Sequence, residues 1–198
     1  MRFKMLYTIL KAILIPFFHI FFRLEIVGNR RLEDGKPYII ASNHKSNYDP
    51  LLVIIALKKR KIHYVGKKEL FIHPVLRWIL NNTFVISIDR ERNDIAGLKK
   101  IYKVLKENHI LGIFPQGTRV KNDEDDSAKA GIGMFAIRTN TPVIPVSIIA
   151  ENNYKPFSKV KIVYHEPYYV PSELLENKNS DSYMLVSNEV MQIIKKEQ

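Results

Sequence analysis

The sequence predicts an α/β fold. Short runs rich in Val, Ile, Tyr and Phe alternate with segments of helical periodicity from residue 23 to the end. The chain has 198 residues, 46% hydrophobic and 26% charged, enough for one domain with a real core. It contains no cysteine, which rules out disulfides and Cys-ligated metal. No internal repeat, zinc-finger spacing or nucleic-acid-binding motif is present.

Residues 5–22 read MLYTILKAILIPFFHIFF. A membrane-spanning helix needs roughly 20 apolar residues. Here Lys11 falls mid-segment, at a cost of about 2.5–3.5 kcal/mol at a bilayer centre, and Pro16 breaks or kinks a helix. Lys4, Thr8 and Lys11 recur at helical spacing as one narrow polar stripe. The pattern suits a helix lying in the membrane interface with its lysines toward headgroups. A helix packed on the protein's own core and a cleaved leader are the competing readings; no small-residue cleavage site supports the leader.

After this segment, RLEIV (23–27) and YIIAS (38–42) read as strands around a turn-rich connection. LLVIIALKKR (51–60) reads as a helix with a cationic end, and KIHYV (61–65) as a strand. KELF and HPVLRWIL look helical, and TFVISI (83–88) is strand-like. Residues 94–108 place Ile95, Leu98, Ile101, Tyr102 and Leu105 on one helix face. HILGIF (109–114) is a buried strand and GMFAIRTN (133–140) a short helix. PVIPVSIIA (142–150) and KVKIVYHE (159–166) are strands, and residues 182–196 a last helix. Pro145 in the first of these strands marks a bulge or an edge, or a direct contact. The strand order stays open. KNDEDDSAK (121–129) is acidic in a basic chain and reads as a solvated surface loop, with a lid as the second reading.

The formal net charge of +11 favours anionic partners: nucleic acid, an anionic membrane surface or acidic soluble molecules. Two stretches carry candidate chemistry. In NHKSNYDP (43–50), Asp49 before Pro50 has the form of a helix N-cap, which leaves His44 in a strand-to-helix turn. On a regular helix, residues five apart diverge by about 140°; a turn can fold them together. An aspartate accepting from one imidazole nitrogen fixes the tautomer and leaves the other nitrogen to take a proton from a hydroxyl. From this spacing alone, a capping aspartate beside an unrelated histidine is the preferred reading. In FPQGTR (114–119), Pro115 and Gly117 force an irregular turn. Its N–H groups, with Thr118 and Arg119, suit a phosphate; a plain strand-ending turn is the alternative.

Together these stretches resemble the glycerolipid acyltransferase family, specifically the 1-acylglycerol-3-phosphate acyltransferases. The resemblance rests on NHKSNYD at 43–49, GKKEL at 66–70, ISIDR at 86–90, FPQGTR at 114–119, KAG at 129–131 and VIPV at 143–146, all in the family's order. It implies a mixed central sheet flanked by helices, with residues 23–198 as the catalytic domain and 1–22 as a membrane-associated helical anchor. His44 is implied as the base and Asp49 as its partner. Arg90, Gln116, Gly117, Thr118 and Arg119 are implied to bind the acceptor phosphate, with Lys67 beside them. The implied reaction is acyl transfer from acyl-CoA or acyl carrier protein to the free hydroxyl of a lysophospholipid. No cofactor, no metal and no nucleic-acid partner are expected, and the implied location is the cytoplasmic face of the membrane. Two residues depart from the family's pattern. Gln116 stands where glutamate is usual, and Phe84 where glycine is frequent. Another lysolipid acceptor, or a non-catalytic lipid-binding protein of the same fold, are the alternatives.

Overall fold

In a computed structural model the described residues are 2–89, 92, 94–119 and 127–197. They form a seven-stranded sheet in the order β1-β7-β6-β2-β5-β3-β4. The strands are β1 (Arg23–Gly28), β2 (Tyr38–Ser42), β3 (Ile62–Lys67), β4 (Ile86–Ile88), β5 (Ile110–Ile113), β6 (Val143–Ala150) and β7 (Lys159–Tyr164). All pairings are parallel except β6 with β7, so β1 and β7 run against the other five. The expected α/β fold with a mixed sheet is therefore present.

Strand period sets the layers. Along β2, Tyr38 and Ile40 face one cluster while Ile39 and Ala41 face the other. The first face is covered by α1 (Arg2–Phe21) and α2 (Asp49–Ala56), which contribute Phe18, Leu52 and Val53. The second is covered by α4 (Ile95–Lys106), α5 (Gly131–Thr139) and α7 (Ser180–Lys195), which contribute Ile101, Phe135 and Val190. Helices α3 (Pro74–Asn81) and α6 (Ser172–Glu176) are short and bury no residue.

Several expectations change. Pro16 does not end α1, which continues to Phe21; Tyr7 and Phe18, buried against the body, hold the helix on both sides of it. Lys11 does not face outward. Its Nζ donates to the carbonyl of Leu57, at the end of α2, where the helix dipole favours a cation. Thr8 alone of the expected stripe remains exposed among the described side chains; that of Lys4 lies outside them. Helix α2 stops at Ala56 because Leu57 turns extended (φ −69°, ψ 133°), so the cationic run 58–60 falls beyond it. Strand β4 starts only at Ile86. Thr83 still bonds back to Ile79, and Phe84 takes φ +64°, in the left-handed region that favours glycine. Pro145 lies in an internal strand rather than at an edge. It sits at the end of the β6–β7 ladder, which starts at Val146↔Tyr164; there its carbonyl still accepts from the His165 N–H at 3.0 Å, and no ladder bond needs the N–H it lacks.

Candidate active site

The parallel strands fix where the site lies. Helix α2 leaves β2 on one face of the sheet, and the chain after β5 reaches α5 on the other. In open parallel sheets the crevice between two such neighbours, at their C-terminal ends, is the usual place for ligands. β2 and β5 are paired neighbours. Residues 43–49 follow β2, residues 114–119 follow β5, and Lys67 is the last residue of β3. Arg90, just past β4, and the acidic run 121–126 lie outside the described residues.

The loop after β2 is locked residue by residue. Asn43 is buried, donates to the Ile148 carbonyl at 2.8 Å and accepts from the Ile148 N–H at 2.8 Å. This pairing extends the β2–β6 ladder through a side chain. His44 Nδ1 then donates to Asp49 Oδ2 at 3.0 Å. The same oxygen accepts from the backbone N–H groups of Lys45 (2.7 Å) and Ser46 (2.6 Å). Asp49 is thus not the expected N-cap. It is the first residue of α2, and its carboxylate turns back into the preceding loop instead of bonding N–H groups of the helix. Pro50 does stand in the first turn, as the sequence suggests. The result is the His–Asp pair rather than an unrelated histidine. With Nδ1 donating, the neutral ring keeps its lone pair on Nε2. The ring of Phe114 stacks on His44 with centroids 4.0 Å apart and planes at 17°.

A fourth donor to Asp49 comes from far along the chain. The hydroxyl of Tyr154 donates to Oδ1. Asp49 is fully buried, so both of its oxygens would otherwise lose their water partners. Burial, and then the charge of Asp49, push the Tyr154 hydroxyl far above the ordinary tyrosine range; it stays a donor at any working pH. Tyr154 closes a short turn in which Asn152, Asn153 and Tyr154 all have positive φ (51°, 52° and 60°). Such conformations cost of order 1 kcal/mol each and cluster where side chains must be aimed. The asparagines carry the conformation at the lowest cost.

The turn after β5 is equally constrained. The N–H of Gly117 donates to the Phe114 carbonyl at 3.0 Å, and Gly117 sits at φ +72°. A Cβ there would lie 3.1 Å from the Lys129 side chain, so glycine lets Lys129 rest across the turn. The backbone of Lys129 is fixed in turn to the Pro115 carbonyl at 2.9 Å.

His44, Lys67, Gly117, Thr118 and Arg119 border one cavity of about 440 Å³. Its remaining wall is mostly apolar: Leu10 and Leu14 from α1, Leu51 and Ile54 from α2, and Leu76, Ile79 and Leu80 from α3. Lys67 and Arg119 form no ion pair with an acid among the described residues. Neighbouring Lys68 is taken up by Asp89 at 2.7 Å. Gln116 is set apart from the group expected with it: it is 3% exposed and does not border the cavity. Tyr154, Asn43, Phe114 and Lys129 are contributors that sequence reasoning did not assign. Asn43, Phe114 and Lys129 stood within the quoted motifs. Tyr154 carried no signal, being 105 residues from its partner.

Such a site can take a proton from a hydroxyl beside a mostly apolar cavity, and it offers no cysteine for a covalent thioester. A base so placed is what an acyltransferase needs at its acceptor hydroxyl. The family model described as Acyltransferase matches residues 23–149, and the chain belongs to that family. It is 28% identical over 149 residues to the 1-acyl-sn-glycerol-3-phosphate acyltransferase of Bacillus subtilis, covering 74% of each chain. It is 29% identical over 126 residues to the human 1-acyl-sn-glycerol-3-phosphate acyltransferase beta, covering 63% of this chain and 45% of that protein. The chain thus spans about half the length of its human relative and of a chloroplastic relative from Brassica napus, of which it covers 53%. The crystal structure of the 1-acyl-sn-glycerophosphate acyltransferase PlsC from Thermotoga maritima shares the fold, with a TM-score of 0.71 at 20% identity, covering 96% of this chain and 77% of that one.

Proposed function

We propose that this enzyme moves a fatty acyl group from acyl-CoA or acyl carrier protein to the free hydroxyl of 1-acylglycerol-3-phosphate, forming phosphatidic acid. One observation carries the reading: Lys67 and Arg119, two cations that form no ion pair with an acid among the described residues, border the same mostly apolar cavity as His44. A lysophosphatidate has the matching parts, a phosphate, a hydroxyl and an acyl chain. The relatives' names supply the same acceptor.

In the proposed step, Nε2 of His44 removes the hydroxyl proton as the oxygen attacks the thioester carbonyl. Asp49 holds the imidazole in register and stabilises the imidazolium that forms. The imidazolium then returns the proton as the thiolate of the donor leaves. Lys67, Arg119 and the 117–119 turn hold the acceptor phosphate, with Arg90 as a further expected cation. Gln116 supports that turn from within the core. The net charge of +11 suits anionic CoA, an acidic carrier protein and an anionic membrane.

The outward face of α1 exposes Met5, Ile9, Ile13 and Ile20, which fits a helix lying on the cytoplasmic face of a membrane. No helix among the described residues is long and apolar enough to cross one. The purified enzyme, given a panel of lysolipids with each donor and read by mass spectrometry, tests the proposal. Phosphatidic acid should be the dominant product. Preferred acylation of a lysolipid without a phosphomonoester, or no transfer at all, would overturn it.

A further inference from the structure

The segment from the 3₁₀ turn Lys68–Phe71 through α3 carries nine apolar residues among its fourteen, Pro74 included, and the fold buries none of them. Ile72, Val75 and Trp78 are 75%, 61% and 59% exposed. An isolated exposed apolar side chain is ordinary; a contiguous set on one short helix calls for something that covers it. At about 100° per residue, Val75 and Trp78 share one side of α3, while Arg77 and Asn81 share another. The segment is nonetheless fixed. Lys68 pairs with Asp89 at 2.7 Å, and the N–H of Val85 bonds to the Leu80 carbonyl at 3.3 Å.

We propose that this segment is a second bilayer-contacting element, inserting Ile72, Val75 and Trp78 among the acyl chains of an anionic phospholipid surface. Two features select that occupant. The first is charge: Lys67 at one end and Arg77 on the polar side flank the apolar residues, Lys68 is already paired with Asp89, and Glu69 is the sole acid in residues 67–81. Cations beside an inserted apolar side suit phosphate headgroups, and a tryptophan suits the boundary between headgroup and chain. The second is continuity. Leu76, Ile79 and Leu80 of α3 border the cavity beside His44, and Leu10 and Leu14 of α1 border it too. A bilayer touching both helices meets the cavity between them, so an acyl chain enters sideways without crossing water.

The proposal rests on the reading that the acceptor is a lipid, but its test does not depend on turnover. Trp78 is the only tryptophan in the chain, so fluorescence of the unmodified enzyme reports this segment alone. Vesicles of phosphatidylcholine with phosphatidylglycerol should shift its emission to the blue. Lipids brominated near the headgroup end of the chain should quench it. Val75→Asp, at a position open to solvent, should weaken vesicle binding about tenfold, the order expected from losing one buried aliphatic side chain; unchanged circular dichroism would show it folded. Enzyme that sediments with vesicles while Trp78 emission stays unshifted and unquenched would overturn the proposal, as would failure to bind the vesicles. A blue shift that follows protein concentration in the absence of lipid would also overturn it, by pointing to a second copy of the chain. Transfer to a short-chain, water-soluble acceptor, measured alongside, tells a wrong acceptor reading from a wrong contact surface.

Discussion

The loop carrying His44 and the outer wall of the cavity treat their unmet groups in opposite ways. In the loop, a single fully buried carboxylate collects an imidazole N–H, two backbone N–H groups and a phenol, the last from a turn with three consecutive left-handed residues. Every demand of that carboxylate is met inside the protein. In the wall, α1, α3 and the turn before α3 present isoleucines, a valine and a tryptophan to the outside, and no described residue covers them. The loop is finished by folding. On the proposed reading, the wall is finished only by the lipid surface that meets it. Preorganised polar groups favour the transition state because they need no rearrangement as charge develops, whereas a lipid site gains from a surface that is completed by lipid.

The comparison can be broken from either side, beginning with the largest effect. His44→Ala should reduce kcat by about 10²–10⁴-fold while leaving vesicle binding and thermal melting close to those of the parent. Near-parental turnover would remove the base assignment, and lost vesicle binding would mean that loop and wall are not separable. Arg119→Ala comes next. Charge-assisted hydrogen bonds contribute about 1.5–3 kcal/mol, so kcat/KM for lysophosphatidate should fall tenfold or more. Saturation by the acyl donor should change far less. An equal loss for acceptors with and without a phosphate would place Arg119 outside the acceptor site.

Tyr154→Phe asks how redundant the four donors to Asp49 are. It keeps the ring that packs near Phe22 and Tyr48 and removes only the hydroxyl. One lost hydrogen bond of about 1 kcal/mol predicts roughly a fivefold fall in kcat with KM little changed. No change in kcat would mean that the backbone N–H groups alone fix the carboxylate. The smallest effect is expected from Gln116→Glu. Gln116 is 3% exposed and does not border the cavity, so the ratios of kcat/KM among lysolipids should stay as they are. A changed ratio would move this side chain from support to recognition.

How far the sequence revealed this arrangement follows from the range of each interaction. Strand β2 matches its expected span, and β1, β5, β6 and β7 lie within a residue or two of theirs, because apolar β-branched runs dictate buried strands locally. The end of α2 and the start of β4 were misjudged. Both are decided by non-helical or left-handed backbone at Leu57 and Phe84, at residues whose types do not announce it. Phe84 meets Tyr7 and His63 edge-on, so ring packing holds a conformation that glycine would adopt freely. Lys11 was misassigned because periodicity reports which residues share a helix face, not which face the body will cover. His44 and Asp49 were legible as a pair through their motif. Tyr154 was not, since its link to Asp49 exists only after β6 has been laid beside β2.

Helix α1 ends at Phe21 and β1 begins at Arg23. A single residue, Phe22, separates them, and it is buried. There is no swivel at this joint. The N–H of Phe157 bonds to the Phe21 carbonyl and Arg23 bonds to the loop before β7, which clamps the joint from the side. A helix lying flat on a surface would therefore set the tilt of the whole sheet, like a bracket screwed to a wall. With the tilt goes the height of His44 above that surface. A lipid standing in the same surface carries its hydroxyls at fixed depths, so the bracket would act as a gauge that decides which of them comes level with the imidazole.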